Sequence, residues 1–196
     1  DALAEAGREI TYTNVGNPHA VGQRPLTFFR QVLALCDLPA SEGVAHAAAA
    51  ALCPRDALER AREVRAAIGA AGTGAYTNSQ GVAAFRRDVA GFLEARDGHA
   101  AHAGDIFLSN GASSAIGNVL TALIASDTDA VMIPIPQYPI YSALIALGGG
   151  RQVGYELDEA NGWSIDEAEL ERQYEKATAS GLSVRALALI NPGNPT

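Results

Sequence analysis

Strand-like and helix-like stretches alternate along the second half of this chain, and that alternation limits the fold more than any other feature. From Asp105 the order is DIFLS as a strand, ASSAIGNVLTALIAS as a helix and AVMIPIP as a strand. YSALIALG then reads as a helix, RQVGYEL as a strand, SIDEAELERQYEKA as a helix and VRALALIN as a strand. Strands separated by helices are joined by crossovers, and crossovers join parallel strands. The expectation is an α/β domain with a mostly parallel sheet and helices on both faces. In the first of these helices Ile116, Val119, Leu120, Leu123 and Ile124 share one side. In the last, Ser164 and Glu167 stand at capping-box spacing.

The stretch before Asp105 has a different rhythm. Residues 1–40 are irregular at first, with the turn formers Gly16, Pro18, Gly22 and Pro25 in TNVGNPHAVGQRP. LTFFRQVLALC reads as a short apolar helix. PRDALERAREVRAAIG is a better one, with Leu58, Ala61, Val64 and Ile68 at helical spacing, Pro54 suited to its start and Gly69 to its end. SQGVAAFRRDVAGFLEARDG is another, with Val82, Phe85, Val89 and Phe92 on one face and Ser79 placed to cap it. The domain expectation is an N-terminal arm and helical segment over residues 1–104, then an α/β domain over 105–196.

Composition narrows the function classes. Apolar residues make up 48% and charged residues 18%, the balance of a globular chain. A net charge of −8 with scattered Arg offers no footprint for nucleic acid. No run reaches the ~18 apolar residues that a membrane helix needs. Cys36 and Cys53 lie far from any CxxC spacing, so no metal site is expected and reduced, intracellular thiols are. The N-terminus has no secretory pattern and no Met. Cytoplasm is the default compartment, with mitochondrion or peroxisome open.

In open α/β sheets ligands bind beyond the carboxyl ends of strands. Three turns qualify. LSNGASSAIG has Gly111 for a tight turn, then Ala112, Ser113 and Ser114 at a helix start. Amides and hydroxyls there can cradle a phosphate, and the same residues also serve as ordinary capping. PIPQYPIYS sets Tyr138 and Tyr141 among prolines, where an aromatic ring can lie on another flat ring or simply pack in the loop. LINPGNPT offers the amides of Asn191 and Asn194 in a proline-stiffened loop. Together the turns suit a flat phosphorylated cofactor. There is no GxGxxG after the first strand and no GxxxxGK[ST], so dinucleotides and nucleoside triphosphates fit less well.

The motifs NVGNPHAVGQRPLTFFRQVLALC, GAYTNSQG, LSNGASSAI, PIPQYPIYSA and NPGNPT follow one another in an order that resembles the alanine aminotransferase family, fold type I enzymes that use pyridoxal 5'-phosphate. The resemblance implies that Ala112 and Ser113 bind the cofactor phosphate, that Tyr138 stacks on its ring and that Asn194 donates to its phenolic oxygen. It further implies that Gly16 lies in a segment closing over the substrate and that Tyr76 reaches toward cofactor or substrate. In relatives the residue matching Tyr76 can serve the neighbouring subunit, so a homodimer is implied.

The implied substrates are an amino acid and a 2-oxo acid, with L-alanine and 2-oxoglutarate giving pyruvate and L-glutamate. A glutamate:glyoxylate aminotransferase is the neighbouring reading. A non-catalytic module that binds a phosphorylated ligand is a second class, and a structural domain with plain capping a third.

The family's Schiff-base lysine is not recognisable here. The one lysine, Lys176, sits in the charged helix ELERQYEKATASG and is expected at the surface. Asp127, Asp129 and Asp158 are in the wrong places to pair with a pyridine nitrogen. The chain is therefore expected to be an inactive N-terminal fragment of a truncated fold. Its lysine, the pairing Asp and the substrate-gripping Arg are expected beyond Thr196, and no catalytic residue within it.

Overall fold

The computed structural model describes residues 5–7 and 16–196, so the part of the turn-rich N-terminal stretch before Gly16 lies outside the described residues. The chain divides into two compact units, Asp1–Leu108 and Ser109–Thr196.

The first unit is helical. Its helices are α1 (Phe28–Asp37), α2 (Ala49–Leu52), α3 (Arg55–Ile68) and α4 (Ala83–Asp97). Helix α1 buries Val32, Leu35 and Cys36, one stripe at helical spacing. It packs on α3, where Ala57 and Ala61 have no exposed surface and let the backbones approach. Arg65 of α3 donates from Nη1 to the Cys36 carbonyl at 3.0 Å, which satisfies a helix-end acceptor. Pro54 stands just ahead of α3, and Gly69 ends it with φ +75°. Arg60 of α3 pairs with Asp88 of α4 at 2.5 Å.

Three expectations for residues 79–109 are corrected. Ser79 does not cap α4, which starts only at Ala83, after Val82. The stripe on α4 is half-buried at Val82, Phe85 and Val89, while Phe92 is 62% exposed. DIFLS forms no strand either. Asp105 closes a short 3-10 turn, and the Leu108 amide donates to the Gln80 carbonyl at 2.9 Å instead of to a sheet. An apolar extended run becomes a strand only where another strand receives its amides.

The second unit alternates as expected: α5 (Gly111–Leu123), β1 (Asp129–Ile135), α6 (Ile140–Leu147), β2 (Arg151–Glu156), α7 (Glu167–Ala179) and β3 (Ser183–Leu187). The sheet order is β2-β1-β3, and both pairings are parallel. The central strand β1 is buried from Asp129 to Pro134. Val131 and Ile133 face α5 and α6, in a cluster with Leu120, Ile124 and Ile145. Ala130 and Met132 face α7, in a cluster with Val153, Tyr155 and Ala177. Helices therefore cover both faces.

Between β1 and β3 the register slips after Ala130. Val184 pairs with Ala130, Ala186 with Val131, and Arg185 is left over as a bulge. Helix α7 is capped by Asp166, which accepts from the Ala168 amide at 3.0 Å. The expected Ser164 cap is absent because Ser164 is engaged in an antiparallel bridge with Asp158. No helix among the described residues is long and apolar enough to cross a membrane.

Candidate functional site at the carboxyl edge of the sheet

In a parallel sheet all strands deliver their carboxyl ends to one edge, and the loops leaving that edge share a neighbourhood. Here those loops are residues 136–139 after β1, 157–166 after β2 and 188–196 after β3. Helix α5 joins them from the other direction. It leads into the amino end of β1, so its own N-terminus points back toward the carboxyl edge. Its 13 residues span ~20 Å, about the length of the seven-residue strand beside it. Ala115 and Ile116 of α5, Tyr141 of α6 and Ala188 after β3 line one apolar recess of about 300 Å³. Helix α5, the start of α6 and the exit of β3 therefore border a common recess.

At the start of α5, Gly111 has φ +81°, a conformation that only Gly adopts without strain. No side chain caps this helix end. The amides of Ala112 and Ser113 come before the first helical acceptor, and residues 111–115 are exposed. Unbonded amides, the positive end of the helix dipole and the Ser113 hydroxyl together favour an anion.

Tyr138 is 48% exposed in the loop after β1. The loop is braced from within: Gln137 Nε2 donates to Ser142 Oγ at 3.3 Å, and Ser142 Oγ donates to the Pro139 carbonyl at 2.9 Å. An aromatic ring on a braced loop, about half exposed, can receive a flat ring.

Asn194 is exposed in the segment after β3. Asn191, Pro192 and Gly193 line a separate recess of about 520 Å³ with Pro134, Tyr155 and Trp163. Ala112, Ser113, Tyr138 and Asn194 thus all belong to the second unit. Gly16 and Tyr76 belong to the first. Gly16 is exposed and precedes Asn17, whose Oδ1 accepts from the His19 amide at 3.2 Å. Tyr76 is fully exposed beside an apolar recess of about 610 Å³ that also includes Phe28, Leu33, Ile68 and Phe85.

Lys176 is exposed in the last turn of α7, a helix that leads into the amino end of β3. It lies at the opposite edge of the sheet from the three turns. Among the described residues no cluster of His, Cys, Asp and Glu could hold a metal ion.

One residue at this edge was not singled out from the sequence, Tyr155, buried beneath the exit of β3, and Pro134, read as one of the prolines of the turn, lies inside the central strand. The usable signal was a proline within a run read as a buried strand.

The uncapped start of α5 and the exposed Tyr138 of the loop after β1 belong to the same unit, and their chemistry is compatible with a phosphorylated, ring-bearing ligand. Residues 41–196 match the family model described as aminotransferase class I and II, and the chain belongs to that family. Enzymes of the family use pyridoxal phosphate and exchange an amino group between an amino acid and a 2-oxo acid. The chain is 49% identical over 190 residues to alanine aminotransferase 1, mitochondrial, of Arabidopsis thaliana, covering 96% of itself and 34% of that protein. It is 44% identical over 194 residues to glutamate–glyoxylate aminotransferase 1 of the same plant, covering 99% of itself and 40% of that protein. The chain thus spans little more than a third of the length of the curated relatives it matches. In fold it resembles the solved alanine aminotransferase from Pyrococcus furiosus, with a TM-score of 0.65 at 19% identity, over 100% of this chain and 40% of that one.

Proposed function

We propose that the protein to which this chain belongs transfers the amino group of L-alanine to 2-oxoglutarate, giving pyruvate and L-glutamate. The observation that carries the reading is the uncapped start of α5, in a chain of the aminotransferase family whose loop after β1 also exposes Tyr138. The residues present fit the cofactor. Ala112 and Ser113 would hold its phosphate through amides and a hydroxyl. Tyr138 would lie on its ring, and Asn194 would donate to its phenolic oxygen. When bound, pyridoxal phosphate supplies the electron sink that this exchange of amino and oxo groups needs.

Lys176 cannot serve as the lysine of such a site, because it is exposed at the other edge of the sheet. The reading therefore requires a lysine from the part of the protein outside residues 1–196. It also takes residues 1–104 as an arm and helical segment, and 105–196 as the first part of the cofactor-binding large domain. Gly16 and Tyr76 are assigned to the substrate side, Tyr76 in a homodimer, and the compartment is the cytoplasm.

A second reading is amino transfer from glutamate to glyoxylate. The 44% identity to a glutamate–glyoxylate aminotransferase, close to the 49% for an alanine enzyme, favours keeping it. Steady-state assays of the whole protein with both substrate pairs separate the two. A higher kcat/KM for alanine and 2-oxoglutarate is expected. No turnover with either pair, in protein that binds pyridoxal phosphate, would leave a non-catalytic binding module as the better description. The 196-residue chain alone is expected to be inactive.

A further inference from the structure

In a parallel ladder, a residue that donates its amide to one neighbour on the facing strand accepts, at its own carbonyl, from the residue two further along that strand. Ala188 donates to the Met132 carbonyl at 2.9 Å. Its carbonyl should then accept from the amide of residue 134. Residue 134 is proline and has no amide to give. The ladder between β1 and β3 ends at this point, at the pair Met132 and Leu187.

The Ala188 carbonyl is nevertheless satisfied. The Tyr155 hydroxyl donates to it at 2.7 Å. Tyr155 comes from β2, on the far side of β1, and is in register with Pro134 itself. Its side chain is 1% exposed, so it passes beneath the central strand rather than around it. Burial raises the pKa of the phenol, so it remains a donor across the working pH range.

We propose that Tyr155 is a positioning residue whose hydroxyl stands in for the ladder amide that Pro134 lacks, and so fixes the point where β3 gives way to the Asn191–Thr196 turn. Proline frees the strand exit from the sheet, and the tyrosine holds that exit at a single place. Its bearing on Asn194 and the cofactor rests on the function proposed above.

The test is amide hydrogen exchange in the whole protein to which this chain belongs, read residue by residue, for wild type, Tyr155→Phe, Pro134→Ala and the double variant. Phe keeps the ring in the core and removes only the donor. Exchange of the Ala188 amide should quicken on the order of tenfold in Tyr155→Phe, with Met132 and Val153 unchanged. In the double variant the amide introduced at position 134 should be protected, and Ala188 should return close to its wild-type rate. Unaltered exchange of Ala188 in Tyr155→Phe would overturn the proposal. So would a double variant in which Ala188 stays fast, or in which the new amide at 134 is unprotected, since a packing role for Tyr155 predicts no rescue.

Titration of the same substitutions in the whole protein with pyridoxal phosphate, followed by absorbance, keeps the two readings apart. The expected exchange pattern with no cofactor binding by any variant sinks the functional reading and leaves the strand-exit role standing. Cofactor binding by wild type, with wild-type exchange in Tyr155→Phe, does the reverse.

Discussion

Arg185 Nε lies 2.8 Å from Asp129 Oδ1, joining the bulged residue of β3 to the first residue of β1. The other carboxylate oxygen of Asp129 accepts from the amides of Ala125 and Ser126, at 2.9 and 2.8 Å. One buried carboxylate therefore ties together the loop before β1, the start of β1 and the neighbouring strand. The register slip is what lets Arg185 turn toward it.

The amides of Ala125 and Ser126, with the Arg185 charge beside them, hold the Asp129 carboxyl below the usual carboxylate range. A depressed folded-state pKa means that the unfolded chain takes up the proton first as pH falls. The stabilisation is then present above the unfolded value of about 3.9 and is lost as pH falls through the folded one. Asp129→Asn should lower Tm by several degrees near neutral pH. The gap between wild type and variant should narrow in acid, because the protonated Asp and the Asn are then alike. Thermal melts over a pH series check this, and a gap that stayed constant into acid would show that the charge does not matter.

The core offers a simpler measurement. Ile145 of α6 has no exposed surface and packs against Leu120, Ile124, Val131 and Ile133. Ile145→Ala should cost about 2–5 kcal/mol and Ile145→Val about 0.5–1.5 kcal/mol, from lost burial and the cavity left behind. Urea unfolding at equilibrium checks both, with the m-value expected to stay unchanged.

Gly154 sits opposite Ile133 in the ladder between β2 and β1. A Cβ built there runs into the Ile135 side chain, which lies over the glycine. Gly154→Ala should therefore destabilise by about 0.5–1.5 kcal/mol, the cost of pushing the half-exposed Ile135 side chain off its rotamer. Adding Ile135→Val, which shortens the side chain that blocks the space, should recover part of that loss. If the two changes simply added, the clash would not be the cause.

Much of this architecture was legible because it depends on local periodicity. Helices α1, α3, α5 and α7 announce themselves through apolar spacing, and β1 through an apolar run set between turn formers. What was illegible depended on partners distant in sequence. DIFLS has the composition of a strand, yet its Leu108 amide goes to Gln80. Ser79 and Ser164 have capping chemistry, but the helices begin later, and Asp166 takes the role that Ser164 was expected to fill. The donor beneath Ala188 could not be read locally either, since it reaches in from β2 across the central strand. At the carboxyl edge, Gly111 and the serines after it were readable as a helix start. Ligand titration tests their hold on a phosphate.

That titration also distinguishes two parts of the proposed site, using the whole protein. Tyr138→Phe should keep most of the affinity for pyridoxal phosphate, because the aromatic face remains. Tyr138→Ala should lose the stack, worth about 0.5–1.5 kcal/mol beyond the area no longer buried. Ser113→Ala removes one hydroxyl donor to a charged phosphate, worth about 1.5–3 kcal/mol, and leaves the ring's surroundings alone. The two alanine variants should therefore differ in kind. Ala at position 138 should shift the absorption band of the bound cofactor, whereas Ala at 113 should weaken binding with little change in the band. Absorbance titrations at matched protein concentration read both quantities at once. If Tyr138→Ala left band and affinity as they are in wild type, the half-exposed ring would be an ordinary loop tyrosine, and the ring of the cofactor would have to lie elsewhere along the edge.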